Sequence, residues 1–131
     1  MPVPKTYYVL IGPTTVPANG ATSLADCQLL DLTKATQLIL TFRGSFHAGA
    51  SNGVKIQMFP SYDGVNFDSH PWADWGGVPA EWVITPSPGA TKQVSSEPIF
   101  PGPKYLKFVI VNQDNYPVTQ AVLVATVQTV G

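Results

Sequence analysis

The chain has 131 residues, a formal net charge of −1 at pH 7 and one cysteine, which suits a single domain with its own core and excludes an internal disulfide framework. Charged residues make up only 11% of the chain, against about 25% in ordinary domains, and no basic cluster marks a nucleic-acid partner. No apolar run approaches the ~20 residues of a membrane-spanning helix, so no membrane partner is expected.

Short β-rich segments dominate the first half of the chain. Thirteen prolines and eleven glycines interrupt every window long enough for a stable helix. Alternating or β-branched residues predict strands at 5–11, 36–44 and 54–58, each ending near glycine, proline or polar residues. Residues 23–30 are interpreted as strand or loop, with a short helical turn as the alternative.

The clearest turn runs from Ser61 to Phe67. Its Asp63-Gly64 pair predicts a hairpin with a type I′ turn, in which both central residues need positive φ. The oxygens of Asp63, Asn66 and Asp68 are also of the kind that calcium accepts. However, the twelve-residue spacing and terminal glutamate of an EF-hand loop are missing, so turn chemistry is preferred and no metal site is predicted.

The second half continues the β pattern. Weaker strand signals lie at 81–85 and 92–96, a mostly apolar run at 105–111 predicts a central strand, and 117–130 predicts the last long strand. Residues 113–116 are interpreted as a second hairpin. Seven to eight short strands at regular spacing predict an all-β fold, a single antiparallel β-sandwich of jelly-roll or Ig-like topology.

No composition shift or internal repeat divides the chain, so residues 1–131 are predicted to form one β-sandwich domain. Residues 1–5, which include Pro2 and Pro4, are either an extended N-terminal arm on a neighbouring subunit or a disordered terminus. The N-terminus lacks the apolar run of a signal peptide, and we expect the protein to be made in the cytoplasm.

One aromatic segment runs from Tyr62 to Trp82 and contains all three tryptophans of the chain. Its large rings are Tyr62, Phe67, Trp72, Trp75 and Trp82. Three interpretations compete. The rings cap the sandwich core, or they anchor a contact with a neighbouring subunit, or they form a platform on which sugar rings stack. The first two are compatible with each other.

No catalytic motif is present. A Gly-x-Ser-x-Gly elbow, a phosphate-binding loop and a dinucleotide fingerprint are all missing. Cys27, His47 and His70 show no metal-ligand spacing, and Cys27 is expected to be a small buried side chain. We therefore predict neither an enzyme nor a cofactor.

Three stretches carry a family resemblance: Leu38–Gly44, Gly53–Met58 and Ser61–Asp68. Their order of strand, short loop, strand and Ser-x-Asp-Gly-x-Asn-aromatic-Asp turn resembles small β-sandwich structural proteins of tailed bacteriophages and prophages. The resemblance implies a virion component, such as a capsid decoration (cement) protein or a head- or tail-associated subunit. It implies as partners other copies of the chain, trimers being common among decoration proteins, and a capsid or tail protein.

Hairpins of this form also occur in other binding sandwiches, so a carbohydrate-binding or adhesion module is the alternative function, with a glycan as its ligand. A weakly charged surface near zero net charge tends to associate with other surfaces, which suits a subunit packed against neighbours. The interface candidates are Tyr62, Phe67, Trp72, Trp75 and Trp82, with Pro2 and Pro4 in the arm.

Overall fold

The computed structural model describes residues 4–71, 74–75, 78–79, 81–100 and 102–130. Its strands are β1 (Lys5–Val16), β2 (Leu30–Asp31), β3 (Ala35–Ser45), β4 (Val54–Ser61), β5 (Asp74–Trp75), β6 (Val78–Pro79), β7 (Glu81–Ile84), β8 (Thr91–Ser95), β9 (Tyr105–Asn112) and β10 (Val118–Thr129). Helical structure in these ranges is limited to a 3₁₀ turn, Leu24–Asp26. The described residues include no helix that is long and apolar enough to cross a membrane.

Eight of the described strands form two four-stranded antiparallel sheets, which confirms the predicted all-β sandwich. Sheet A has the order β1-β10-β3-β8 and sheet B the order β2-β9-β4-β7, while β5 and β6 form a separate two-stranded ribbon. The strands pair from the two ends of the chain inward: β1 with β10, β2 with β9, β3 with β8 and β4 with β7. This is a long antiparallel ribbon rolled into a sandwich, which is the jelly-roll order rather than the immunoglobulin one.

Most strand predictions are confirmed, including the weak ones, which correspond to β7 and β8. The segment 23–30 contains the 3₁₀ turn, so the interpretation as strand or loop was incomplete. The predicted hairpin at 113–116 is wrong, because β9 and β10 belong to different sheets. That segment is a crossover between the sheets, and the buried carboxylate of Asp114 within it accepts the Ser51 N–H from a neighbouring connection at 2.8 Å.

The core lies between the two sheets and is filled by the inward rows of their strands. In β10 the buried residues are Val118, Ala121, Leu123, Ala125 and Val127, alternating along most of the strand. The largest fully buried side chains are Phe42, Phe108, Leu10, Ile11, Leu30, Leu38, Leu40, Ile56, Met58, Ile99 and Leu106. Burial of each contributes about 1.5–3 kcal/mol, so this core is what holds the sheets together.

An irregular segment completes the edge of sheet B beside β9. The Thr22 N–H donates to the Ile110 carbonyl at 3.0 Å, and the Thr22 Oγ1 accepts the Ile110 N–H at 2.9 Å. Further along, the Cys27 Sγ accepts the Phe108 N–H at 3.3 Å. Beyond the two-residue strand β2, the side chains of Thr22 and Cys27 thus accept N–H groups of the β9 edge that a regular strand would pair with its backbone.

A buried carboxylate, Asp114, joins three backbone donors at the opposite end of β4 from Ser61. Its Oδ1 accepts the N–H groups of Ser51 at 2.8 Å and Asn52 at 2.7 Å, and its Oδ2 accepts that of Gly53 at 2.8 Å. Gly53 has φ +79°, and a Cβ there would lie 2.0 Å from the Ile84 carbonyl oxygen. Glycine is therefore required for the loop to reach the carboxylate.

Burial by itself would raise the pKa of Asp114, but the N–H groups of Asn52, Ser51 and Gly53 outweigh it and lower the pKa below its usual value. A lowered native pKa means that these bonds stabilise the fold fully above the ordinary carboxyl pKa of about 3.9. The contribution is lost as the pH falls through the native pKa.

We predict that Asp114→Asn lowers the free energy of unfolding by about 2–3 kcal/mol at pH 7, because an amide cannot accept bonds on both of its ends. Urea denaturation followed by tryptophan fluorescence measures the loss. Asp26→Asn is the matched control, since Asp26 is an exposed carboxylate that accepts bonds from Ser23. It should cost under about 1 kcal/mol. Equal losses in the two variants would contradict this role of Asp114.

Candidate interaction surface

The segment from Ser61 to Asp68 forms a closed loop after β4. Ser61 and Phe67 form an isolated bridge, and the Asp68 N–H donates to the Pro60 carbonyl at 3.0 Å. The two ends of the loop are thereby held together without a following strand. We call residues 61–68 the β4 loop.

The Asp63 carboxylate braces the β4 loop from inside. Its Oδ1 accepts the N–H groups of Val65 at 2.9 Å and Asn66 at 2.8 Å, and its Oδ2 accepts the Asn66 side-chain amide at 2.7 Å. The Ser61 hydroxyl accepts the Gly64 N–H at 2.9 Å and donates to Asp63 at 3.1 Å. The backbone donors of Asn66 and Val65, followed by the Asn66 amide, hold the pKa of Asp63 well below its usual range.

The predicted type I′ hairpin at Asp63-Gly64 is wrong. Gly64 has φ +81°, but Asp63 is not in the positive-φ region that a type I′ turn requires at its first central residue. The side chains of Ser61, Asp63 and Asn66 shape this loop instead, in the manner of an Asx turn. Both Asp63 oxygens, which the calcium alternative would use, already accept bonds from within the loop.

Two large apolar side chains project from the braced loop into solvent. Tyr62 is 78% exposed and Val65 is 79% exposed. Gly64, between them, faces Leu29 and Tyr105, because a Cβ there would lie 3.4 Å from the Leu29 Cδ2 and 3.6 Å from the Tyr105 ring. Leu29 is itself 44% exposed. We call Tyr62, Val65, Leu29 and Tyr105 the apolar end of the molecule.

Two lysines flank this apolar end. The Lys104 Nζ lies 5.4 Å from the centre of the Tyr105 ring, and the Lys107 Nζ lies 5.3 Å from that of Phe67, both within cation–π range. Lys104 also lines a shallow open cleft beside Tyr62, with Pro60 and Asp68 among the other lining residues. An apolar centre with a charged margin is typical of a protein interface.

The other predicted interface residues do not join this surface in the described part of the chain. Trp82 lies opposite Ile56 in the β4–β7 pair and packs half-buried against the core. Trp72 and Pro2 lie outside the described residues, and for Trp75 only its place in β5 is described. Pro4 is exposed, and its carbonyl accepts the Thr129 N–H at 3.1 Å.

Sequence reasoning missed three members of the apolar end: Leu29, Val65 and Tyr105. Val65 lies inside the predicted turn. Because turns run over the surface of a protein, an apolar residue at this position is a signal that the sequence does carry. Leu29 and Tyr105 come together only because Leu30 pairs with Leu106 across β2 and β9. That pairing joins positions far apart in sequence, and no local pattern indicates it.

The candidate reactive groups have structural surroundings. Burial raises the pKa of the Cys27 thiol to about 11, which leaves it protonated and unreactive at neutral pH. The His47 ring stacks on Tyr116 with centroids 4.0 Å apart, and its Nδ1 accepts the Gly49 N–H at 2.9 Å. Among the described residues, no three His, Cys, Asp or Glu side chains gather in a group that could hold a metal ion.

No protein-family model matches the chain, and no curated protein is significantly similar to it.

We predict that Asp63→Ala loosens the β4 loop without unfolding the sandwich. The N–H groups of Val65 and Asn66 lose their acceptor, so their backbone order parameters should fall below about 0.6, the range of flexible backbone. The measurement is ¹⁵N relaxation by NMR. Because the pKa of Asp63 is lowered, the wild-type loop should stay ordered at pH 4.

Asp68→Ala is the control within the same loop, because the described bond of Asp68 to Pro60 uses its backbone N–H and not its carboxylate. Its order parameters should match those of the wild type. If Asp63→Ala leaves the loop as rigid as before, the bracing role assigned to Asp63 is wrong.

Proposed function

We propose that this protein is a non-enzymatic structural subunit of a virion, a capsid decoration or head- or tail-associated protein that stabilises the particle through contacts between subunits. The observation that carries the proposal is the apolar end, where a braced loop holds Tyr62 and Val65 almost fully in solvent. The resemblance of the β4 loop and the strands before it to phage structural proteins supports the same function.

The bracing of the loop bears directly on binding strength. A flexible loop loses conformational entropy when it binds, and this loss subtracts from the affinity. Here the bonds to Asp63 have already fixed the backbone of Val65 and Asn66. The contact with a partner therefore gains the burial of Tyr62 and Val65 without that cost, which suits a subunit that must bind a repeating surface many times over.

The jelly-roll order is compatible with the proposal but does not select it. Jelly rolls occur in viral capsid domains, lectins and cupins, and a fold by itself does not define a function. The low charge content adds support, since 11% charged residues and a net charge of −1 leave little electrostatic repulsion between copies that lie side by side on a particle.

A carbohydrate is the alternative ligand for the same end of the molecule. Tyr62 offers an exposed ring beside a shallow cleft that Asp68 and Lys104 also line. A sugar would stack on the ring and exchange hydrogen bonds with these two side chains. Trp82, by contrast, packs against the core and presents less of its ring than the platform hypothesis requires.

Co-sedimentation tests the proposed function. Purified protein is mixed with particles that lack it, prepared from cells in which its gene has been deleted, and bound protein is measured after centrifugation. We predict saturable binding by the wild type. Because the contact buries Tyr62 and Val65, the double variant Tyr62→Ser, Val65→Ser should bind at least about tenfold more weakly, the effect of about 1.4 kcal/mol.

Val83→Ser is the matched control, since Val83 is also exposed, at 56%, but lies in β7, away from the β4 loop. It should bind like the wild type. A glycan array on the same three proteins separates the alternative. Absence of particle binding by the wild type, or equal binding by all three proteins, would overturn the proposal, and glycan binding that depends on Tyr62 would replace it with the carbohydrate function.

A further inference from the structure

One sheet edge of the described structure is exposed and rich in aromatic side chains. Sheet B ends in β2, which has two residues, and in β7, which has four and carries Glu81 in an ion pair with Lys55. Sheet A ends on one side in β8, a five-residue strand that includes Lys92. Its other edge is β1, whose residues 5–9 are all exposed and include Tyr7 and Tyr8. Very short strands and charges protect an edge, whereas the exposed rings of β1, beside the single charge of Lys5, leave this edge open to another strand.

The ladder determines which backbone groups of β1 face that open edge. The Thr129 N–H donates to the Pro4 carbonyl, so Pro4 faces β10. Bonded and non-bonded residues alternate along an antiparallel pair, and the register is regular from Lys5 to Val9. Thr6 and Tyr8 therefore bond to β10 as well. The N–H and C=O groups of Lys5, Tyr7 and Val9 point the other way, to the open edge.

The described part of the open edge runs from Lys5 to Val9. Pro4 directs its backbone to β10, so Lys5 is the first described residue that presents backbone groups to the open edge. Beyond Val9 the register becomes irregular, and the Leu10 carbonyl already accepts the Gln28 N–H at 2.8 Å. An incoming strand therefore finds five residues, of which the first, third and fifth present backbone groups.

We propose that the occupant of this edge is the same edge of a second copy, paired antiparallel about a two-fold axis at Tyr7. In this register Tyr7 faces Tyr7 of the second copy, and Lys5 of each copy faces Val9 of the other. All three outward residues then form bonded pairs, each exchanging two hydrogen bonds. A two-fold axis at Thr6 or at Tyr8 would leave one of the three unpaired in each copy, so the Tyr7 register forms more bonds than either.

Side chains and charge agree with this register. The two Tyr7 rings, each 70% exposed in the single chain, become a cross-strand aromatic pair on the outer face of sheet A. Tyr8, 46% exposed, lies opposite Thr6 of the second copy. The two Lys5 residues end up four positions apart along the seam, roughly 14 Å, which is beyond the screening length at physiological salt. Sheet A thus continues from one copy into the next.

Self-association and amide exchange test the proposal on the wild-type protein. Sedimentation equilibrium should show a monomer–dimer equilibrium. In NMR hydrogen exchange, the amides of Thr6 and Tyr8 should be protected at every concentration, because they bond within the chain. The amides of Lys5, Tyr7 and Val9 should gain protection only as the dimer forms, since their acceptors belong to the second copy.

Two substitutions test the register. Tyr7→Lys places two like charges directly opposite each other and should weaken the dimer at least about tenfold. Tyr62→Lys is the matched control, because Tyr62 is a similarly exposed tyrosine in the β4 loop, and it should leave the dimer unchanged. Particle binding should weaken in Tyr62→Lys and stay unchanged in Tyr7→Lys. Failure of this inference is therefore distinguishable from failure of the proposed function, on which it does not rest.

Disulfide trapping gives a geometric test. Tyr7→Cys should cross-link under mild oxidation, because directly paired Cα atoms lie about 5.5 Å apart. Thr6→Cys should not, since its copies would be about 8 Å apart, beyond the reach of a disulfide. A monomer at every concentration, a dimer without new amide protection at Lys5, Tyr7 and Val9, or cross-linking by Thr6→Cys instead of Tyr7→Cys would each overturn the proposal.

Discussion

The jelly-roll arrangement depends on a buried polar corner at which three connections meet. Asp114 receives the backbone donors that precede β4, and its carbonyl accepts the Asn19 N–H at 2.8 Å from the connection after β1. Asn112 donates its side-chain amide to the carbonyls of Pro17 at 3.1 Å and Tyr116 at 2.8 Å. These bonds join the connections that carry the chain between the two sheets, and no buried side-chain polar atom among the described residues lacks a partner.

This corner and the apolar end lie at opposite ends of the same two strands. β4 runs from Val54, next to the Asp114 corner, to Ser61 at the β4 loop, and β9 runs back from Tyr105 to Asn112. Eight residues of strand separate the two ends by about 25 Å. Polar groups at one end are consumed by the fold, while at the other end Asp63 uses the loop's own donors and leaves Tyr62 and Val65 in solvent. The first arrangement stabilises the fold, and the second holds the two side chains that we propose to contact a partner.

Local patterns predicted the seven longer strands but not their partners, and they did not predict the two-residue strands β2, β5 and β6. Alternation along β3, β4 and β10 follows from one buried face, and the sequence shows it directly. The pairing of β1 with β10 joins opposite ends of the chain, and no local signal carries that information. The type I′ turn predicted from the Asp63-Gly64 pair was wrong for a physical reason. Its turn is shaped by the side chains of Ser61 and Asn66, whereas hairpin rules consider the φ angles of the two central residues.

The candidate surface was predictable to a similar degree. Tyr62 and Phe67 stand out as aromatic residues in a turn, and the structure places both in the β4 loop. Leu29 and Tyr105 join them only through the contact of β2 with β9. Tyr7 and Tyr8 looked like ordinary strand residues, because exposure of a sheet edge depends on strand order and not on composition.

We propose that this sandwich works as a part of an assembly. A cryo-electron microscopy reconstruction of particles from cells that carry the gene tests it most directly. The account predicts density for the eight-stranded sandwich at regular positions on the particle, with Tyr62 and Val65 buried against the underlying protein. Particles whose density is fully explained without this chain, while the chain remains in the soluble fraction, would contradict the account.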